Sequence, residues 1–272
     1  MQQLRQPSLF NLSLFGEEFF RDAIQYHAYE YWTHFQNRLV AIYVGGSVHR
    51  NEAVPGVSDL DLYPFIIDEF NDADKEWFNQ AEQRVESRYP SANGFCPPRS
   101  ATERLDGLQS PVDEIAYVRS LAWVHRLRYD TTLVLGDDLI GGLGVPDMDK
   151  GQARDYFQSV LDLVRYAAGL ETENKTDFRL PKVLPHRLRK LARLAVLGGA
   201  YLLIGDGESY SFKGTDIFPL LNSRFPHWRV FLNDTERLYI FPDPSATDSK
   251  ISAYLSQLVP WVDWVGEQLR AA

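Results

Sequence analysis

Cysteine occurs once in the 272 residues, at Cys96. A single thiol excludes an intramolecular disulfide framework and a cysteine-rich zinc site. No stretch reaches the ~18 consecutive apolar residues of a membrane-spanning helix, so no membrane partner is expected. The opening residues, MQQLRQPSLFNLSLFGEEFF, lack the basic segment, continuous apolar core and small-residue cleavage site of a secretory leader. Together these absences point to a cytoplasmic protein. Basic charge is also scarce: 28 Lys and Arg face 37 Asp and Glu, a net charge of −9. A nucleic-acid binder usually carries a basic field. This balance instead favours a neutral or cationic partner, which an acidic cleft would attract. Internal repeats, low-complexity tracts and lipidation signals are missing too.

What the chain does hold is enough length for one large domain or two modest ones. Its densest chemistry lies in Tyr43–Tyr63, reading YVGGSVHRNEAVPGVSDLDLY. The run Leu39–Val44 has the length and β-branched content of a buried strand. It leads into Gly45-Gly46-Ser47, where two residues without Cβ let backbone amides approach a bound group closely. A polar, turn-rich connection follows, then Asp59-Leu60-Asp61-Leu62 and the apolar run Tyr63–Ile67. Residues two apart on a strand share a face, so Asp59 and Asp61 project together. Paired carboxylates repel unless a cation lies between them. Hard oxygen ligands without a nearby Cys or His pair point to Mg²⁺ or Mn²⁺ rather than zinc. The glycine turn and the Ser47 hydroxyl can hold phosphates, and the two aspartates can hold metal beside them. An ordinary turn followed by a strand with two solvated acids is the plainer alternative.

The pattern Gly46-Ser47, loop, Ser58-Asp59-Leu60-Asp61 resembles the signature of the DNA polymerase β-like nucleotidyltransferase superfamily. The resemblance implies an α/β (α+β) catalytic domain with a small mixed sheet, ATP or another NTP as donor, and Mg²⁺ (or Mn²⁺). It also implies a third carboxylate on a neighbouring strand, as general base or metal ligand. The segment Pro111–Val118 reads as that strand, with Asp113 favoured and Glu114 the competitor.

The remaining chain is read in order. Phe15–Arg38 has the apolar spacing of an amphipathic helix, and Lys75–Tyr89 is helical after an acidic turn at Asp68–Asp74. Pro90–Ser110 reads as a loop, its Arg99 and Arg104 able to reach an anionic nucleotide or simply to meet solvent. Arg119–Tyr129 reads as helix and Thr132–Leu139 as a short strand with a Gly-Asp turn. His49, His125 and His186 lack metal-ligand spacing, and His49 reads as a loop residue able to approach the triphosphate. The Gly/Pro-rich stretch Gly141–Asp149 marks a boundary between domains 1–148 and 149–272, with the active-site cleft expected between them.

Beyond it the pattern is helical. Leu184–Ile204 opens with His186, Arg187, Arg189, Lys190 and Arg193, where the helix dipole disfavours positive charge and asks for an anionic partner. Gly205-Asp206-Gly207 stops that helix. Ile251–Leu269 forms a last amphipathic helix, with Trp261 and Trp264 as packing residues. The order Arg193, Gly205, Lys213 resembles the all-helical second domain of streptomycin/spectinomycin-type aminoglycoside nucleotidyltransferases. There such an Arg and Lys contact nucleotide phosphates, though here their spacing is longer. The resemblance implies transfer of an NMP, AMP above all, from an NTP to a small hydroxylated acceptor such as an aminoglycoside. A tRNA or protein acceptor, or a nucleotide-binding module without catalysis, are the other readings.

Overall fold

Helix α1, Glu18–Phe35, buries Phe20, Ala23, Ile24, His27, Ala28, Tyr31 and Phe35. That three-to-four-residue rhythm makes one apolar stripe. Trp32, on the opposite side, is exposed. A 3₁₀ turn at Gln36–Arg38 redirects the chain into strand β1, Leu39–Gly45. The structure, a computed structural model, describes residues 10–92, 94–101, 124–125, 127–141, 147–174 and 180–271. They belong to two compact units, Met1–Pro146 and Asp147–Ala272.

In the first unit, β1 runs into a helical turn, α2, Gly46–His49. Strand β2 is Asp61–Ile66, and helix α3 is Asp72–Arg88. Strands β3, Arg99–Ser100, and β4, Thr131–Gly136, complete a mixed sheet ordered β3-β2-β1-β4. β1 pairs antiparallel with β2 and β4, while β2 and β3 are parallel. Arg99, expected in a loop, therefore stands on a strand opposite Phe65. Helix α3 begins before its expected start because Asn71 and Asp74 form a reciprocal capping box, which satisfies two otherwise orphaned amides. The strand and carboxylate pair expected at Pro111–Val118 lie outside the described residues, as does Arg104. Val124–Tyr129 is helical where described, as its sequence suggests.

The sheet has two unlike faces. Ile42, Val44, Leu60, Leu62 and Ile66 join the core formed with α1 and α3. Ala41, Tyr43, Tyr63 and Phe65 face the other way, into a smaller cluster with Val124, Leu127 and Ile140. Alternation along the strands puts Gly45 and Asp61 on this second face.

The second unit is helical throughout its ordered elements. Helix α4, Lys150–Ala167, starts from a capping box between Asp149 and Gln152. It is followed by α5, Leu184–Gly205; α6, Gly214–Arg224; α7, Arg229–Ile240; and α8, Asp248–Arg270. Helix α5 forms the centre, buried from Leu188 to Ile204 on most of its circumference. Gly199 is needed there, because a Cβ would collide with Leu221 of α6. Trp261 of α8 is fully buried and donates its indole N–H to Ala195 O at 3.1 Å. Its packing role is the expected one. Gly207, at φ +71°, lets Glu208 N reach Leu203 O at 2.9 Å and closes α5, an αL ending that glycine adopts without strain. Among the described residues no helix is long and apolar enough to cross a membrane.

Candidate active site

Register places the site. Gly45, the last residue of β1, lies between Asp61 on one side and Thr131 on the other. The surroundings favour glycine: a Cβ would sit 2.6 Å from the Tyr63 ring and 3.1 Å from both Asp130 O and Thr131 Cγ2. Gly46 then takes φ +66°, the left-handed region that favours glycine. Its would-be Cβ falls on the Asp61 carboxylate. The glycine turn and the second aspartate of the Asp-x-Asp pair are thus in direct contact. Ser47 is buried within the α2 turn, and its carbonyl accepts Glu52 N–H at 2.8 Å.

Asp61 opens β2 and is half-buried; Asp59 is exposed and lies just ahead of the strand. The strand is therefore two residues shorter at its start than the sequence suggests. Leu60 and Leu62, both fully buried, anchor the stretch and turn the intervening Asp61 away from that core. The connecting loop is closed by Ser58, whose Oγ accepts Val54 N–H at 3.0 Å and whose N–H reaches Val54 O at 2.9 Å. Gly94 packs against Leu60 O, so the segment entering β3 passes beside the Asp-x-Asp stretch. Among the described residues no group of three or more His, Cys, Asp or Glu is placed to hold a metal ion. Asp113 and Glu114 fall outside that set.

The most telling side chains are ones that the sequence does not single out. Arg50 is buried and ion-pairs with Asp130 through one guanidinium nitrogen and with Glu52 through Nε at 2.9 Å. His49, expected in a loop, instead ends the α2 turn, and its Nδ1 meets Thr132 Oγ1 at 2.7 Å, tying α2 to β4. Eighty residues separate Arg50 from Asp130, and no local pattern links them. Behind the site, Tyr43 accepts Leu139 N–H at 2.7 Å and donates to Asp138 at 3.2 Å. Burial pushes its phenol well above the usual tyrosine range, so it stays protonated. Backbone amides, Ile140 first, hold the Asp138 carboxyl below its usual range. Asp138 is a turn-former, accepting Ile140 N–H at 3.0 Å.

In the second unit, Lys213 is the N-cap residue of α6, half-buried, with no ion-pair partner among the described residues. Its backbone N–H is held by Ser211 Oγ at 3.1 Å. Arg193 is half-buried on α5. Part of the cationic start of α5 has a local explanation. Arg187 Nε donates to Pro181 O at 2.8 Å, and Arg189 Nε donates to Tyr239 O at 2.9 Å near the end of α7. Carbonyl dipoles meet those two charges.

No protein-family model matches the chain, and no curated protein matches it significantly in sequence. Among solved structures it is similar to spectinomycin adenyltransferase AAD(9) from Enterococcus faecialis, crystallised with ATP and spectinomycin. The two share 14% identity over 92% of this chain and 98% of that one, with a TM-score of 0.53. The chain has a nucleotidyltransferase-like fold, a small mixed-sheet α/β unit followed by a helical one.

Proposed function

We propose that the protein is a Mg²⁺-dependent nucleotidyltransferase that moves an NMP, preferentially AMP, from an NTP to a hydroxyl of a small acceptor. The observation that supports this reading is the contact between Gly46 and Asp61, which sets the glycine turn against the second aspartate of the Asp-x-Asp pair. Residues 1–148 would act as the catalytic domain and 149–272 as the domain that completes nucleotide and acceptor binding.

Gly45, Gly46 and Ser47 receive the triphosphate through closely approaching backbone amides and the Ser47 hydroxyl. The donor set suits a hard cation: two carboxylates two residues apart, Asp59 exposed and Asp61 half-buried, offer oxygen ligands. Asp59 and Asp61 would hold Mg²⁺ together with a third carboxylate from the undescribed stretch, Asp113 favoured over Glu114. The ion, when bound, supplies positive charge against the triphosphate. Lys213 and Arg193 neutralise β- and γ-phosphate charge, which favours departure of pyrophosphate. The acceptor oxygen forms a bond to the α-phosphorus as the α–β anhydride bond breaks. Its proton passes to the third carboxylate. Catalysis of this kind rests on positioning and charge stabilisation.

The acidic balance of the chain supports a cationic, aminoglycoside-like acceptor over a nucleic acid. The test measures pyrophosphate release with ATP, GTP, CTP and UTP across aminoglycoside and other polyol acceptors. The folded Asp59→Asn/Asp61→Asn variant runs beside the wild type. Metal-dependent release with one donor, absent from the variant, is expected. A folded wild type that binds no nucleotide with Mg²⁺ present would sink the reading.

A further inference from the structure

We propose that Arg50 is a positioning residue of this site, a buried guanidinium clamp that holds the Gly45–Ser47 turn in the form that receives a nucleotide. The inference rests on the reading above. The Arg50 side chain is 2% exposed, so it does not itself reach a phosphate in this structure. It acts through what it grips. One arm reaches Glu52, whose own backbone N–H closes on Ser47 O. The other reaches Asp130, whose carbonyl would contact a Cβ on Gly45 and whose successor, Thr131, is the register partner of Gly45. The backbone N–H of Arg50 also donates to Gly46 O at 3.2 Å. A single residue therefore fixes the two ends of the glycine turn and the strand beside it.

Energetics point the same way. A buried ion pair seldom adds net stability over an apolar replacement, because desolvation offsets its attraction. The gain from such a network is geometric. Arginine suits the task because its planar fork addresses two carboxylates in fixed directions, which a lysine ammonium on a flexible stem does not. Misplacing reactive or ligand-holding groups by about an ångström costs on the order of a hundredfold in rate.

The experiment uses the full chain as wild type, Arg50→Lys, Asp130→Asn and a control, Arg84→Gln. Arg84 forms a more exposed pair with Glu30 in the same unit. Two readouts are taken well below each melting temperature: backbone amide exchange over residues 45–52, and Mg²⁺-NTP affinity by calorimetry. Arg50→Lys is expected to stay folded, exchange faster in the turn, and bind NTP about tenfold to a hundredfold more weakly. Asp130→Asn should shift both readouts in the same direction, and it carries the comparison if Arg50→Lys does not fold. Arg84→Gln should change neither. Unchanged exchange in the turn overturns the clamp. Faster exchange with wild-type affinity overturns the positioning role and leaves Arg50 a fold residue. Wild type that binds no NTP removes the nucleotidyltransferase reading and the positioning role with it, while the exchange data still report whether Arg50 holds the turn.

Discussion

A Cβ on Gly46 would land on the carboxylate of Asp61, fifteen residues further along the chain and across the end of the β1–β2 pair. Two constraints meet at Gly46: positive φ and this close approach. Gly46→Ala must therefore displace either the turn or the carboxylate. Left-handed backbone at a residue with a Cβ costs about 1–2 kcal/mol, so the variant should melt at lower temperature yet remain folded. Nucleotide binding should fall further than stability alone explains. A calorimetric titration beside a thermal melt checks this; wild-type affinity in Gly46→Ala would show that the contact has no role in binding.

That relationship also marks what the sequence could reveal. Glycine, serine and alternating aspartates are short local patterns, and β1, α1 and the helical second unit follow from periodicity that no tertiary contact overrides. The clamp on the turn was not legible, because Arg50 and Asp130 meet only after the sheet has brought β4 beside β1. The start of α3 departs from the sequence pattern for a different reason. Asn71 and Asp74 look like one acidic turn until their side chains are seen to cap each other's backbone. Arg187 and Arg189 suggested an anion site, yet carbonyl oxygens of Pro181 and Tyr239 accept their hydrogen bonds. A cation at a helix start asks for negative charge, and backbone dipoles are a source that sequence patterns do not display.

Acid should loosen the first unit through Asp74. Its buried carboxylate accepts two hydrogen bonds from Arg38, each at 2.9 Å, and one contact from His34 at 2.8 Å. The Arg38 guanidinium, helped by His34 and Asn71, holds the carboxyl at about 2. The folded pKa lies below the ordinary value of 3.8, so this stabilisation is complete above about pH 4 and is lost as pH falls toward 2. Asp74→Asn should cost about 2 kcal/mol at pH 7, since it removes two charge-assisted hydrogen bonds and leaves Arg38 only its more exposed pair with Asp68. The deficit should shrink near pH 2. Urea denaturation at both pH values measures it, and an equal deficit at the two would refute the assignment.

His27 should act over a higher pH range. Its ring is fully buried against Tyr89 and Phe95, and neither nitrogen has a hydrogen-bond partner among the described residues. Burial lowers its pKa from 6.5 to about 3. Between these values the unfolded chain binds a proton that the folded chain refuses, so stability falls as pH drops from about 6.5 to 3. The total effect is on the order of a few kcal/mol. His27→Leu keeps an apolar side chain of similar size and removes the titration. Its stability should therefore be flatter across pH 6.5–4 than that of wild type, before Asp74 begins to protonate. Parallel slopes for the two proteins would place the acid sensitivity elsewhere.

Lys213 offers a test in the second unit that is independent of the glycine turn. The residue precedes α6 at its N-cap, where Ser211 Oγ fixes the backbone, and no described carboxylate pairs with its ammonium. If it meets the β- and γ-phosphates, its removal must discriminate among nucleotides by their phosphate count. A charge-assisted hydrogen bond contributes about 1.5–3 kcal/mol, so Lys213→Ala should weaken NTP binding by about tenfold to a hundredfold. Binding of the matching NMP, which lacks those phosphates, should stay as it was. Lys213→Arg keeps the charge and should restore part of the loss. Equal weakening of NTP and NMP would mean that the substitution acts through the packing of α6 rather than through phosphate charge. No change in either would remove Lys213 from the site, with the Asp59 and Asp61 assignments then judged on their own titrations.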